Sequence, residues 1–236
     1  NYVAGAAGRS SFINVKYCTD NRYLSMQSFV RTGNAYGRDF AFHEIPDVLD
    51  PFDKHAFAAS PMTLEVVSTN LETGEADYHE VRDYDADLDY LIASSSMPLV
   101  SKTVEVDDKL LLDGGTADSV PLVHSLLTGA KKHVVVLTQA ADYVKKPNKL
   151  LALMRQRYAD YPYYLDRLAY RHYEYNRLYR WIAREEAAGR VFVIRPQKPV
   201  TVASMEHSAD KLLDLYEQGL ACAAEAWPAL QEYLAK

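Results

Sequence analysis

The chain has 236 residues, of which 48% are hydrophobic and 25% are charged, so it can bury the core of one large domain. Its formal net charge of −6 argues against a general nucleic-acid-binding protein. Cys18 and Cys222 lie far apart in sequence, which indicates neither a disulfide framework nor a zinc module and favours a reducing compartment. No apolar run approaches the roughly 20 residues that span a bilayer, so we predict a cytoplasmic protein.

The first part of the chain predicts short elements. Residues 1–8 are mostly small and are typical of the end of a helix, whereas residues 12–15 are apolar without a clear period. Residues 20–30 have capping residues ahead of apolar positions and predict a short helix. Residues 39–53 contain two X-Pro pairs, which disfavour a long helix and predict packed loops and single helical turns.

The middle part predicts strands and one helix. Residues 62–68 and 76–81 predict two strands joined by a turn at Gly74. A helix is predicted over 87–96, and it is stopped by Pro98. Strands at 104–106 and 109–112 flank Asp107-Asp108, which predicts a hairpin with a two-residue loop.

The last part predicts mainly helices. A helix at 120–128 and a continuous apolar strand at 133–138 follow the strand at 109–112, in the βαβ order of a buried parallel sheet. Further helices are predicted over 148–158, 163–188 and 207–234, the last with a bend at Pro228, and a buried strand over 191–194. One inward face of the second of these helices carries Leu165, Leu168, His172, Tyr175, Tyr179 and Ile182. We therefore expect a three-layer α/β/α domain with a mostly parallel central sheet.

The candidate site is the run Leu110-Leu111-Leu112-Asp113-Gly114-Gly115, in which a buried strand leads to one carboxylate and two glycines. The glycines let the backbone turn sharply and approach a ligand or another segment closely. Helix-start signals follow at 118–121, so Asp113 lies at a strand-to-helix corner, where ligands bind in α/β sheets. Asp-Gly is also a common turn dipeptide, and the residues alone leave both interpretations open.

A second string, Ile92-Ala93-Ser94-Ser95-Ser96-Met97-Pro98, ends fifteen residues before Asp113-Gly114-Gly115. Together the two strings resemble the corresponding blocks of patatin-like phospholipases, particularly the bacterial subgroup of predicted esterases. Residues 66–74 look like the preceding strand and turn of that subgroup, and residues 161–178 look like its later helices. The resemblance covers essentially the whole chain.

The resemblance implies a lipid or acyl-ester hydrolase that uses a Ser-Asp dyad and needs no metal or cofactor. Asp113 would accept the proton of the serine, which requires a carboxylate made more basic by desolvation. Gly114 and Gly115 would hold the turn and leave space for the acyl group, and Ser96 and Pro98 would border the substrate.

The serine of this family lies in a G-x-S-x-G elbow downstream of a glycine-rich oxyanion loop, and neither motif occurs in this sequence. If the resemblance holds, residues 1–8 continue the helix that follows the elbow. We therefore expect residues 1–236 to be the C-terminal part of a single, N-terminally truncated patatin-like domain, which is inactive by itself.

The rival interpretation is a non-catalytic α/β module that binds a membrane surface or a protein partner through residues 155–184. This segment is rich in tyrosine and arginine, and residues 145–195 contain twelve Lys or Arg against five Asp or Glu. Such side chains could contact anionic lipid headgroups at the periphery of a membrane. Alternatively, the tyrosines pack against the sheet and the arginines pair with acidic residues.

The histidines do not predict a metal site, because none of the seven has the spacing of a paired ligand. His124 is the nearest to Asp113 in sequence, and we expect it to pack in a helix rather than to relay protons. The glycine-rich patterns that bind nucleotide phosphates do not occur either.

Overall fold

The structure, a computed structural model, describes residues 9–236, so the helix predicted over 1–8 lies outside the described residues. The fold is mixed α/β, in agreement with the sequence-based class. The chain divides into two compact units. Among the described residues, the first comprises those up to Ser119 together with Pro147–Arg171, and the second comprises Val120–Lys146 and His172–Lys236.

Short helices precede the first strand. They are α1 (Arg9–Tyr17), α2 (Met26–Thr32), a π-helix (Phe40–Leu49) and α3 (Lys54–Ala59). The helix predicted over 20–30 is wrong in its first half, because Ser25 caps α2 by accepting a hydrogen bond from the Ser28 N–H. The apolar residues 12–15 belong to α1.

The π-helix corrects the loops predicted for residues 39–53. The Asp50 N–H donates to the Ile45 carbonyl at 2.8 Å, which is the five-residue spacing of a π-helix. Pro46 lies inside it and supplies no backbone N–H. Phe40, Phe42, Ile45 and Pro46 are all buried, and we attribute the persistence of the helix to this burial.

The larger sheet belongs to the first unit and has the strand order β2-β1-β4-β3. Its strands are β1 (Leu64–Asn70), β2 (Ala76–Val81), β3 (Val104–Val106) and β4 (Lys109–Asp113). Every pairing in this sheet is antiparallel. These strands confirm the two predicted at 62–68 and 76–81 and the predicted hairpin.

Parallel pairing within residues 9–236 joins β5 (Val134–Val136) and β6 (Phe192–Ile194), both in the second unit. The βαβ prediction is therefore wrong, because β4 and β5 belong to different sheets. β4 returns along β3 through a two-residue turn, which fixes it as an antiparallel strand. The predicted burial of β5 is also wrong, since Val134 and Val136 are 41% and 69% exposed while Val135 is 6% exposed.

The remaining helices confirm the predicted ones to within a few residues. They are α4 (Leu88–Ser95), α5 (Leu122–Leu127), α6 (Leu151–Arg157), α7 (Pro162–Ala187) and α8 (Ala209–Ala235). His124 lies in α5, Pro228 lies within α8, and the predicted inward face of α7 is buried at Leu168, Tyr175, Tyr179 and Ile182. None of the described helices is both long and apolar enough to cross a membrane.

Helices cover both faces of the four-stranded sheet. Leu111 and Leu112 are adjacent on β4, so their side chains point to opposite faces, and both are 0% exposed. Leu111 packs in a cluster with the π-helix and α4, whereas Leu112 packs with α6 and the first turns of α7. The strand that ends at Asp113 is therefore held from both sides.

Candidate active site

Asp113 is the last residue of β4 and lies opposite Ser68 of β1. Its backbone N–H donates to the Ser96 carbonyl at 2.9 Å, and its carbonyl accepts a hydrogen bond from Thr69 Oγ1 at 2.9 Å. The backbone of Asp113 is thus fixed by β1 and by the residue that follows α4.

The Asp113 carboxylate turns back towards its own chain and borders a cavity. Oδ1 accepts a hydrogen bond from the Gly115 N–H at 2.7 Å, and Oδ2 accepts none within the described residues. Burial raises the pKa of Asp113, whereas the Gly115 N–H and the positive charge of Arg171 act in the opposite direction. Because the net shift is upward, this carboxylate is a stronger base than an exposed aspartate.

Gly114 leaves no room for a side chain, and a side chain at Gly115 would crowd the side chains of Asp113 and Arg171. A Cβ on Gly114 would lie 2.2 Å from the Val67 carbonyl oxygen, so only glycine allows this turn to pack against β1. A Cβ on Gly115 would lie 2.9 Å from Asp113 Oδ1 and 3.1 Å from Arg171 Nη2. Close approach of the backbone therefore explains Gly114, and crowding beside the carboxylate explains Gly115.

A cavity of about 400 Å³ opens beside Asp113, within the first unit. Small-ligand sites usually range from about 300 to 1,000 Å³. Its apolar wall includes Ile13, Phe42, Val66, Leu91 and Ile92, and its polar groups include Asn34, Arg38 and Ser96. The lining combines a mainly apolar wall with a cation and a basic carboxylate, which suits an ester with an apolar acyl group.

Ser96 and Pro98 have different places in this arrangement. Ser96 lines the cavity, and its hydroxyl donates to the Ile92 carbonyl at 2.8 Å and accepts from Arg38 Nη2 at 3.2 Å. Pro98 does not line the cavity and precedes Leu99, whose φ of 69° is uncommon for a bulky residue. The Leu99 N–H donates to the Tyr158 hydroxyl at 3.0 Å, so this strained turn is held in place.

Sequence reasoning missed the roles of two arginines at this site. Arg38 lines the same cavity as Asp113 and also donates to the Lys102 carbonyl at 2.5 Å. Burial lowers the pKa of Arg38. Arg171 donates through Nε to the Gly115 carbonyl at 2.5 Å. The sequence placed Arg171 only within the basic segment 155–184, for which a lipid-binding surface and pairing with acidic residues both stayed open.

The part of the chain that the structure describes contains no set of metal ligands. No group of three His, Cys, Asp or Glu side chains there is arranged to hold an ion.

Comparison with known proteins gives one family match. Residues 161–235 match the model of a family described as a domain of unknown function (DUF6363). No curated protein matches the chain. The matched segment contains α7, β6 and α8, so it includes Arg171 but not Asp113.

Proposed function

We propose that this chain belongs to a patatin-like serine acyl hydrolase in which Asp113 is the base of a Ser-Asp dyad. One observation carries the proposal: a basic, partly buried carboxylate lies at a glycine turn and borders a mainly apolar cavity. Perturbed carboxylates in clefts are typical of functional sites. We assign this carboxylate the role of general base because residues 92–98 and 113–115 resemble the patatin-like family.

In the proposed reaction, a serine hydroxyl attacks the carbonyl carbon of the acyl ester while Asp113 takes the hydroxyl proton. The tetrahedral intermediate collapses, and the alcohol leaves with the proton held by Asp113. Water then attacks the acyl-enzyme, gives its proton to Asp113 and releases the carboxylic acid when the serine is reprotonated. No histidine is needed between the two groups if the carboxylate is sufficiently basic.

The serine of the dyad is proposed to come from an elbow outside the described residues. Two serine hydroxyls that line the cavity are engaged elsewhere: Ser95 donates to the Leu91 and Ile92 carbonyls, and Ser96 donates to the Ile92 carbonyl. Ser68, which faces Asp113 across the sheet, is 0% exposed and cannot meet a substrate. The proposal also includes a patatin-like fold, in which the parallel pair β5–β6 belongs to a larger parallel sheet.

The test is hydrolysis of p-nitrophenyl esters of graded acyl length by the complete polypeptide that contains these residues. We expect Asp113→Asn to lower kcat by about 10²–10⁴-fold, because a general base typically contributes that much. Asp108→Asn is the matched control, since Asp108 is exposed on the same hairpin and loses the same charge. Full activity of Asp113→Asn would remove Asp113 from the mechanism.

The second candidate is the non-catalytic module that binds a membrane or a partner. Support comes from exposed side chains in each unit, which are Arg155, Arg157, Tyr163 and Tyr170 in the first and Tyr173, Arg177, Arg180 and Arg184 in the second. Arg167 and Arg171 contribute less to such a surface, because both bind backbone carbonyls. A complete polypeptide that hydrolyses no ester but binds anionic vesicles would favour this candidate.

A further inference from the structure

Two arginines in the first turns of α7 bind two glycine carbonyls in the same way. Arg167 Nε donates to the Gly74 carbonyl at 3.0 Å, in the turn between β1 and β2. Arg171, four residues later on the same helix face, donates through Nε to the Gly115 carbonyl at 2.5 Å. Hydrogen bonds from a charged donor are stronger than neutral ones, so the pair attaches α7 to both turns.

Core packing holds this part of α7 against the sheet. Tyr164 and Leu168 are 0% and 3% exposed, and they pack in one cluster with Leu112, the residue before Asp113. The position of Arg171 relative to the end of β4 therefore follows from buried contacts on its own helix. The conformational freedom of an exposed side chain does not determine that position.

Arg171 differs from Arg167 because it also lies beside Asp113. Gly115 is bound on both sides, with its N–H on Asp113 Oδ1 at 2.7 Å and its carbonyl on Arg171. The Ser119 hydroxyl donates to the same carbonyl at 2.6 Å. The positive charge of Arg171 favours the ionised form of the Asp113 carboxyl, against the effect of burial.

Two other titratable groups face Asp113. Tyr164 on α7 stays neutral at physiological pH, because burial raises the pKa of its hydroxyl. Arg38, in the segment before the π-helix, lines the cavity but donates to Ser96 and Lys102, and Asp89 lies within the range of its charge. Arg171 is thus the cation whose charge acts on the Asp113 carboxylate.

We propose that Arg171 is a positioning residue for Asp113, supplied by the segment that matches the domain of unknown function. By binding the Gly115 carbonyl, Arg171 fixes the position of Gly115, whose N–H binds the carboxylate, and its positive charge favours the ionised form of that carboxylate. The inference rests on the proposed function, since a base must be both ionised and basic to accept the serine proton.

The experiment is a carbon-13 NMR titration of the Asp113 carboxyl group in this chain, with Asp113→Asn identifying its resonance. We expect Arg171→Met to raise the pKa of Asp113, because a favourable positive charge is lost. Arg167→Met is the matched control and should leave this pKa unchanged, since its guanidinium binds Gly74. The Gly115 N–H should exchange with solvent several-fold faster in Arg171→Met and at the wild-type rate in Arg167→Met.

Arg171→Lys keeps the experiment decisive if Arg171→Met does not fold. Lysine retains the charge but cannot reproduce the directed Nε hydrogen bond, so exchange at Gly115 should quicken while the pKa of Asp113 stays near its wild-type value. Wild-type exchange at Gly115 in Arg171→Lys would overturn the inference. An unchanged pKa of Asp113 in Arg171→Met, or an equal shift in Arg167→Met, would do the same. The titration does not depend on ester hydrolysis, so a negative result would overturn the role of Arg171 without deciding the proposed function. The hydrolysis rate of Asp113→Asn decides the proposed function.

Discussion

Ionisation of the Asp113 carboxyl group opposes folding. Burial raises its pKa in the folded protein above that of the unfolded chain, so the folded state binds the proton more strongly. The stability that protonation provides is present at low pH and is lost as the pH rises through the folded pKa. We therefore predict that Asp113→Asn has a higher free energy of unfolding than the wild type at pH 7.

Urea denaturation over a series of pH values measures this difference. The gap between Asp113→Asn and the wild type should shrink as the pH falls below the folded pKa of Asp113, because the wild-type carboxyl is then neutral as well. Asp108→Asn should not follow this pattern, because Asp108 is exposed. A less stable Asp113→Asn at pH 7 would show that contacts of the carboxylate outweigh its burial.

Some residues of the site could be predicted from the sequence and others could not. Asp113, Gly114 and Gly115 could be selected from sequence because a buried strand ending in such a run is a local pattern. Arg38 and Arg171 could not, because their contacts with Ser96 and Gly115 join segments far apart in the chain. No spacing in the sequence marks such contacts.

The hairpin β3–β4, which leads to Asp113, has strain in its turn. Asp107 and Asp108 have φ values of 48° and 60°, and the left-handed conformation costs a residue other than glycine roughly 1–2 kcal/mol. Glycine avoids this cost but gives the unfolded chain more freedom, worth about 0.4–1 kcal/mol. We predict that Asp108→Gly raises the free energy of unfolding by about 0.5–1 kcal/mol, as measured by urea denaturation.

Asp107→Gly is the comparison within the same turn. Asp107 Oδ2 accepts a hydrogen bond from the Tyr90 hydroxyl at 2.7 Å, and such a bond contributes about 1 kcal/mol. Loss of this hydrogen bond should offset the relief of backbone strain. Asp107→Gly should therefore leave the free energy of unfolding unchanged or lower it. Equal stabilisation by both variants would mean that the bond to Tyr90 contributes nothing.

The sequence predicted well those elements whose formation depends on residues that are close together in the chain. The hairpin β3–β4 and strand β2 follow from alternation and from turn residues inside a short window. The π-helix did not, because burial of its aromatic residues outweighs the local effect of Pro46. The pairing of β4 with β1, in a different sheet from β5, was missed because sequence order alone does not decide which strands pair.

In the whole molecule, the boundaries of the basic segment do not coincide with those of the two compact units. The sequence places an excess of seven positive charges in residues 145–195, and this segment contributes to both compact units. The single domain over 1–236 stays a prediction. Asp113, its cavity and Arg171 all belong to the first unit, so the proposed site can be tested without any assumption about the second.

The central claim is that Asp113 activates a serine nucleophile. The most direct measurement is the reaction of the complete polypeptide with a fluorophosphonate, followed by mass spectrometry of the labelled peptide. We predict that one serine in a G-x-S-x-G sequence is labelled, and that Asp113→Asn slows the labelling about 10²-fold or more. Labelling of Asp113→Asn at the wild-type rate, or ester hydrolysis without any labelled serine, would contradict the claim.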